Sequence, residues 1–186
     1  MTEARDGAAV FLDRDGVINR RRVDHVKSWS EFEFLPGTLE ALAALRRAGA
    51  RVVVVTNQAV VGRGVVREED LAFIHTRMAE AVAMAGGWIE RTYVCVHTPD
   101  AGCPCRKPGT ALLEQARAEL GIKLELSLLV GDAPTDVEAA RAAGCVPVLM
   151  AENGEGGHGD GVTIVHQLSD VLALFAQVRS RQVVPC

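Results

Sequence analysis

The stretch "AAVFLD", residues 8–13, places five apolar residues in a row before an aspartate. A nearly continuous apolar run of this length is typical of a parallel strand that is buried on both faces. Five later runs have the same character, and we predict a strand at each of them: "RVVVVTN" (51–57), "TYVCVH" (92–97), "LSLLVGD" (126–132), "VPVLM" (146–150) and "VTIVHQ" (162–167).

Alanine- and leucine-rich stretches alternate with these strands. We predict helices at 38–48, 68–85, 109–121, 134–143 and 168–180, where "PGT" (36–38) and "APTD" (133–136) are typical helix starts and Gly49 and Gly144 typical helix ends. Alternating strands and helices give right-handed crossovers and a three-layer α/β fold with a doubly wound parallel sheet. We see no repeat and no linker, so we predict one domain over residues 1–186, with a flexible loop at "ENGEGGHGDG" (152–161).

Composition excludes several classes of function. The 186 residues carry a net charge of −4, which gives no general reason to expect binding to nucleic acid or to a membrane surface. The polar N-terminus "MTEARDGAAVFLD" lacks the apolar run of a signal peptide, and no segment approaches the length of a membrane span. We therefore expect a cytoplasmic protein whose thiols are kept reduced.

Polar groups follow several of the predicted strands at their carboxyl ends. Asp13 and Asp15 follow the first strand, Thr56 and Asn57 end the second, and Asp132 follows the fourth. In open α/β sheets ligands bind at this edge, so the three acids indicate one shared site. The alternative is that each aspartate only caps the helix that follows it.

Four potential metal ligands, Cys95, His97, Cys103 and Cys105, fall within eleven positions. In a reduced protein such a group is more typical of metal binding than of a disulfide, although a disulfide or free surface cysteines remain alternatives. The other cysteines and histidines lack this spacing, and we interpret them as ordinary core, surface or tail residues: Cys145, Cys186, His25, His75, His158 and His166.

Four short motifs occur in order: "FLDRDGVIN" (11–19), "VVVTNQ" (53–58), "CRKPG" (105–109) and "VGDAPTD" (130–136). They resemble the motifs of the haloacid dehalogenase superfamily of phosphatases. With Cys-x-His and Cys-x-Cys before "RKP", the set is similar to the group that includes heptose-bisphosphate and histidinol-phosphate phosphatases. The resemblance covers about residues 8–150 and implies a Rossmann-like haloacid dehalogenase fold. No insertion is long enough for a cap domain.

The resemblance implies magnesium chemistry at the acids. Asp13, Asp132 and the backbone carbonyl of Asp15 are expected to bind Mg²⁺, a hard cation that prefers oxygen ligands. Asp13 is also the expected nucleophile, which forms an aspartyl-phosphate. Asp15 is the expected proton donor and acceptor. Arg14, between them, is expected to point away.

The same resemblance assigns the phosphate and substrate contacts. Thr56 and Lys107 join the expected catalytic set, because a hydroxyl and an ammonium can both hold phosphoryl oxygens. Asn57 and Arg106 are expected to contact the substrate. Asp136 has two interpretations, a helix-start acid favoured by the helix dipole or an outer partner of the magnesium site.

The cysteine-rich loop also gains a role. Three thiolates and an imidazole suit tetrahedral Zn²⁺, and four protein ligands leave no open position for catalysis. We therefore predict that Cys95, His97, Cys103 and Cys105 hold a structural zinc ion in a loop over 95–105. This zinc would fix the direction of Arg106 and Lys107.

The resemblance implies that the substrate is a small phosphorylated sugar, D-glycero-D-manno-heptose 1,7-bisphosphate. The enzyme is expected to remove its 7-phosphate. The loop after the first motif carries Arg20, Arg21 and Arg22, and we expect Arg21 or Arg22 to bind a second phosphate. The alternative for these arginines is solvent exposure. Histidinol phosphate is the alternative substrate, and a non-catalytic, zinc-stapled binding module is the alternative of another class. We expect a monomer.

Overall fold

The computed structural model describes residues 7–151 and 161–180. The strands of the described chain are β1 (Ala9–Leu12), β2 (Arg51–Asn57), β3 (Arg91–Cys95), β4 (Leu128–Gly131), β5 (Val146–Met150) and β6 (Thr163–Val165). Its helices are α1 (Thr38–Arg47), α2 (Ala59–Gly62), α3 (Glu68–Met84), α4 (Ala111–Leu120), α5 (Pro134–Ala143) and α6 (Val171–Ser180). Short 3-10 turns lie at Trp29–Glu31, Pro99–Ala101, Leu124–Leu126 and Leu168–Asp170.

The strands form one parallel sheet in the order β3-β2-β1-β4-β5-β6. The chain runs outward from β1 in one direction through β2 and β3, and in the other through β4, β5 and β6. β1 is therefore the point where the strand order reverses, which is where open α/β sheets form their ligand crevices.

Helices cover both faces of this sheet because alternate strand residues point to opposite sides. Val10, Leu12, Val52 and Val54 face a core that α1, α3 and α6 cover. Ala9, Phe11, Val53 and Val55 face a second core that α4 and α5 cover. Burial on both sides accounts for the apolar runs that predict the strands.

The predicted elements are confirmed, with bounds shifted by a few residues. All six strands and all five predicted helices form, and α2 is an additional helix that the sequence does not indicate. The loop predicted at 152–161, His158 and Cys186 lie outside the described residues, apart from Gly161. Among the described residues, no helix combines the length and apolar character needed to cross a membrane.

Register places the chemistry at one edge of the sheet. Leu12 pairs with Val54 on one side and with Val130 on the other, so Asp13, Thr56 and Asp132 follow at nearly the same level. Asn57 pairs with Cys95, which brings the cysteine-rich loop to the same edge. Between β1 and α1 the chain forms one 3-10 turn and isolated bridges of Asn19 with Asp15 and Phe34, and between β2 and β3 it forms only α2 and α3. The expected fold without a cap domain is confirmed.

Candidate active site

Lys107 lies at the centre of the site. Its side chain is 2% exposed, and Nζ lies 2.6 Å from Asp136 Oδ1 and 3.0 Å from Asp13 Oδ1. Nζ also donates to the backbone carbonyl of Val55 at 2.8 Å. Because an ammonium has three protons, these three acceptors satisfy all of them and fix its position.

Charge and burial act against each other at this centre. Burial, opposed by the charge of Lys107 and aided by those of Asp136 and Asp15, raises the pKa of Asp13 to about 6. Burial disfavours the ammonium of Lys107, but the carboxylates of Asp13 and Asp136 outweigh it and raise the pKa of the lysine. At neutral pH Asp13 is therefore a carboxylate beside a fixed cation, which is the form that can act as a nucleophile.

Asp13, Asp132 and Asp136 form an acidic cluster, in which one oxygen of each lies within 4.8 Å of the others. Apart from ionic contact with Lys107, Asp13 Oδ1 and Asp136 Oδ1 are buried without a partner in the part of the chain that the structure describes. Burial, opposed by Arg21 and aided by Asp136, also raises the pKa of Asp132. A group of oxygen ligands with too few cations fits a hard divalent ion such as Mg²⁺.

Asp136 has features of both of its expected roles. Its carboxylate accepts a hydrogen bond from the backbone N–H of Ala133 at the start of α5, at 3.1 Å. The same carboxylate forms the ion pair with Lys107 and belongs to the acidic cluster. It therefore caps the helix and anchors the lysine at once.

Two glycines allow the close approach on which the acidic cluster depends. Gly16 has a φ of 84°, and a Cβ atom there would overlap the carboxylate of Asp132. A Cβ atom at Gly131 would overlap the carboxylate of Asp136. Any larger residue would displace a candidate ligand or the helix cap.

Asp15 is held by three buried donors. Its carboxylate accepts hydrogen bonds from Arg14 Nη2 at 2.8 and 3.1 Å, from Asn19 Nδ2 at 2.9 Å and from Gln58 Nε2 at 2.8 Å. Burial opposes ionisation most strongly, but the charge of Arg14 and these hydrogen bonds together lower the pKa of Asp15. Asp15 still lines the cleft.

Arg14 points away from the cleft, as expected, because its side chain is not part of the lining. It is fully buried behind the cleft and contacts the carboxylate of Asp15 directly. A buried guanidinium requires a partner, and the neighbouring carboxylate supplies one.

The two polar residues at the end of β2 hold other protein groups. Thr56 is 1% exposed, and its hydroxyl oxygen accepts from Gln58 Nε2 at 3.0 Å. Asn57 Oδ1 accepts from the backbone N–H of Lys107 at 3.1 Å, and its Nδ2 donates to the carbonyl of Lys107 at 3.2 Å. Asn57 lines the cleft, whereas Thr56 is not part of its lining.

The cleft has a volume of about 320 Å³ and is rich in arginine. Arg21 Nη1 lies 2.9 Å from Asp132 Oδ2, and Arg22 pairs with Asp24 at 3.1 Å. Arg106 Nη1 is buried without a hydrogen-bond partner among the described residues. The residues that line the cleft include Asp13, Asp15, Arg21, Arg22, Val23, His25, Asn57, Gln58, Arg63, Arg106, Lys107, Asp132 and Asp136.

Cys95, His97, Cys103 and Cys105 form a thiol cluster beside the cleft, with all four ligand atoms within 4.8 Å of one another. The Sγ atoms are 3.2 Å (Cys95 to Cys105), 3.4 Å (Cys103 to Cys105) and 3.6 Å (Cys95 to Cys103) apart. His97 Nδ1 lies 3.2 Å from Cys105 Sγ. Tetrahedral zinc with Zn–S bonds of about 2.3 Å separates its sulfurs by about 3.8 Å.

The thiols are free rather than disulfide-bonded, since a disulfide needs an S–S distance of about 2.05 Å. Burial is the largest influence on Cys103 and acts against ionisation. Hydrogen bonds from Cys105, from the Arg106 backbone and from Cys95 outweigh it and lower the pKa of Cys103 to about 7. A thiolate is the form that binds zinc. The 3-10 turn Pro99–Ala101 connects the two pairs of ligands on the protein surface.

Several residues have contacts that their sequence positions do not indicate. Gln58 links Thr56, Asp15 and Arg14, and its only signal is its place in the motif "VVVTNQ". His75 contacts Arg14 from α3 and has no local signal. Arg63 and His25 line the cleft, and His25 has a φ of 62°, which is unusual for a residue other than glycine.

Comparison with known proteins agrees with this geometry. The model of the haloacid dehalogenase-like hydrolase family matches residues 2–144. The chain is 43% identical over 141 residues to D-glycero-beta-D-manno-heptose-1,7-bisphosphate 7-phosphatase of Pseudomonas aeruginosa, which covers 76% of this chain and 79% of the relative. It is 40% identical over 158 residues to D-glycero-alpha-D-manno-heptose-1,7-bisphosphate 7-phosphatase of Mycobacterium bovis, which covers 81% and 83%.

A solved structure is also similar. The crystal structure of D,D-heptose 1,7-bisphosphate phosphatase from B. bronchiseptica, complexed with magnesium and phosphate, has a TM-score of 0.84 and 36% identity to this chain. The match covers 91% of this chain and 98% of that one. The parallel sheet, the acidic cluster at its reversal point and these matches lead to one conclusion: the chain belongs to the haloacid dehalogenase-like hydrolases.

Proposed function

We propose that this protein is a magnesium-dependent phosphatase that removes the 7-phosphate of D-glycero-D-manno-heptose 1,7-bisphosphate through an aspartyl-phosphate. The main support is the buried ion pair between Asp13 and Lys107, which faces an arginine-lined cleft beside two further carboxylates. Relatives that are 40–43% identical act on this class of sugar bisphosphate.

Mg²⁺ would be held by Asp13, Asp132 and the backbone carbonyl of Asp15, with Asp136 as an outer partner through Lys107. When bound, it supplies positive charge that neutralises the phosphoryl oxygens. A phosphate ester repels an attacking anion, so this neutralisation must precede attack by a carboxylate.

The reaction of this chain's own residues has two halves. In the first, an Asp13 oxygen attacks phosphorus, the bond from phosphorus to the sugar oxygen breaks, and Asp15 donates a proton to that oxygen. Because the pKa of Asp15 is lowered in the free protein, this proton must be taken up from solvent or from the phosphate monoanion when the anionic substrate binds. In the second, the Asp15 carboxylate accepts a proton from water, which attacks phosphorus and breaks the bond to Asp13. Inorganic phosphate leaves and both aspartates regain their starting forms.

Lys107 would pair with the phosphoryl oxygens, while Asn57 keeps the Lys107 backbone in place and reaches the cleft. Thr56, which does not line the cleft, would act through Gln58. Arg21, Arg22 and Arg106 would bind the second phosphate, because a guanidinium can bind phosphate with two parallel hydrogen bonds. The cationic lining disfavours histidinol phosphate, since the amino group of histidinol is itself positive at neutral pH.

We further propose one domain over residues 1–186, a zinc ion at Cys95, His97, Cys103 and Cys105, and a monomer in the cytoplasm. Free thiols at distances suited to zinc support the metal, and a reducing compartment is where such thiols persist.

Phosphate release from a substrate panel tests the substrate. The panel holds both anomers of the heptose bisphosphate, fructose 1,6-bisphosphate, histidinol phosphate and 4-nitrophenyl phosphate, each with Mg²⁺ and with EDTA. We expect one heptose anomer to exceed histidinol phosphate in kcat/KM by about tenfold or more, equivalent to about 1.4 kcal/mol. Equal efficiency on histidinol phosphate would overturn the sugar assignment. Absence of all turnover would instead favour a binding module.

A further inference from the structure

Behind the cleft, Arg14 links the candidate acid-base residue to α3. Its guanidinium is fully buried, and Nη2 contacts both the Asp15 carboxylate and Gln58 Oε1, the latter at 3.1 Å. Nη1 lies 3.2 Å from Nε2 of His75, which is 61 positions away in the sequence. The two ends of the guanidinium are thus held by different parts of the fold.

His75 is suited to accept this hydrogen bond. Burial, together with the charge of Arg14, lowers the pKa of His75 to about 3, so the ring is neutral at physiological pH. A neutral imidazole with its proton on Nδ1 offers Nε2 as an acceptor. Neither Arg14 nor His75 lines the cleft, so neither is placed to touch the substrate.

We infer that Arg14 and His75 are positioning residues, which hold the Asp15 carboxylate in the orientation that proton transfer requires. This inference rests on the proposed function, in which Asp15 exchanges a proton with the sugar oxygen and then with water. His75 contacts Nη1 of Arg14 and fixes its position. Because the guanidinium is planar, Nη2 is fixed as well, and Nη2 in turn orients the Asp15 carboxylate and the Gln58 amide.

The fork geometry explains why arginine occupies this position. A guanidinium is rigid and planar, so fixing one nitrogen fixes the direction of the others, which a lysine ammonium cannot do. A proton donor must reach the leaving oxygen at about 2.6–3.2 Å, so a small rotation of Asp15 costs proton transfer before it affects substrate binding.

Leaving-group dependence tests this role separately from stability. An alkyl phosphate needs a proton on its departing oxygen, whereas 2,4-dinitrophenyl phosphate does not, and kcat/KM reports the step in which that oxygen leaves. We expect Arg14→Met to lower kcat/KM about 10²-fold for the best alkyl phosphate of the panel and less than about threefold for the dinitrophenyl ester. We expect Arg14→Lys and His75→Leu to give about tenfold selective losses, and His75→Gln, which keeps an acceptor, to restore most of the activity.

Three controls complete the experiment. Met78→Ala, one turn further along α3 and fully buried, should lower both activities equally if it lowers them at all. His166→Leu, whose ring contacts the carbonyl of Ala151, should leave the ratio unchanged. Asp15→Asn sets the limiting ratio for loss of the proton donor.

If Asp15→Asn is selective but Arg14→Lys and His75→Leu lower both substrates equally or neither, the positioning role is wrong and the proposed function stands. If Asp15→Asn itself shows no selectivity, the acid-base role of Asp15 is wrong, and the inference fails with it. The His75 variants keep the test decisive even if Arg14→Met does not fold.

Discussion

The acidic cluster and the thiol cluster each gather their ligand atoms within 4.8 Å, and they lie at the same edge of the sheet. The acidic cluster opens onto the cleft and shares its oxygens with Lys107 and Arg21. The thiol cluster offers four protein ligands and needs nothing from solvent. One residue, Arg106, separates the last thiol ligand, Cys105, from Lys107 at the centre of the site.

This difference assigns separate tasks to the two clusters: the thiol cluster would position residues, and the acidic cluster would act on the substrate. A metal that acts on substrate must keep positions open, whereas a structural metal is most effective with all positions filled. The Asn57 amide holds the Lys107 backbone on one side, and we propose that a metal in the thiol cluster would hold it on the other. The acidic cluster can then exchange ligands while Lys107 stays in place.

The largest expected effect comes from removing Asp13, the proposed nucleophile in the acidic cluster. Asp13→Asn should abolish turnover, with a loss of at least about 10⁴-fold, because an amide cannot attack phosphorus and binds Mg²⁺ poorly. The measurement is steady-state phosphate release, with zinc content determined on the same sample. Retention of a tenth of the activity would refute the covalent mechanism, and unchanged zinc content would show that the two clusters are independent.

Removal of a ligand of the thiol cluster should have a different effect. Cys105→Ser should reduce zinc from about one equivalent per chain, lower Tm by roughly 5–10 °C, and reduce kcat about tenfold through a displaced Lys107. Elemental analysis, thermal unfolding and kinetics check these effects. Cys145→Ser, at a buried thiol outside the cluster, is the matched control and should keep its zinc. A metal-free and fully active Cys105→Ser protein would eliminate the structural role.

Acid should weaken the binding of Mg²⁺ to the acidic cluster. The pKa of Asp13 in the metal-free protein is about 6, so protons compete with Mg²⁺ below that pH. We expect the Kd for Mg²⁺, measured by calorimetry, to be nearly constant above pH 7 and to rise about tenfold per pH unit below about pH 6. A Kd that is flat from pH 7 to pH 5 would mean that Asp13 is not a ligand.

The smallest expected effect comes from replacing Arg21, which lines the cleft. Arg21→Ala should raise KM for the bisphosphate about three- to tenfold and change hydrolysis of 4-nitrophenyl phosphate little, because only the bisphosphate has a second anionic group. Arg67→Ala, at an exposed arginine paired with Asp70 on α3, is the control. Equal effects on both substrates would mean that Arg21 acts only through its contact with Asp132.

Local patterns account for what the sequence predicts correctly. The strands are predictable because burial on both faces forces apolar runs, and Asp13 and Asp132 because they directly follow two of those runs. The cysteine spacing predicts the thiol cluster in the same way. Each of these signals lies within a few residues of the feature it predicts.

The remaining contacts depend on distant side chains. The distance between Arg14 and His75 is set by the packing of α3 against the sheet, which no local pattern encodes. The resemblance implies that Asn57, the last residue of β2, contacts the substrate, but its amide also binds the backbone of a loop 50 positions away. Such contacts follow from the assembled fold and are invisible to spacing alone.

The exposed turn between the two ligand pairs can accept insertions at a small cost in folding free energy. Residues 98–102 are anchored at both ends by cluster ligands. Among the described residues, the hydrogen bonds and ion pairs of Lys107 and of the acidic cluster do not involve them. Doubling the length of a loop costs only about 0.6 kcal/mol in closure entropy. Insertions here would remodel the surface beside the cleft and leave the reactive lysine untouched, so the turn is a natural graft point for directed evolution of new substrate ranges.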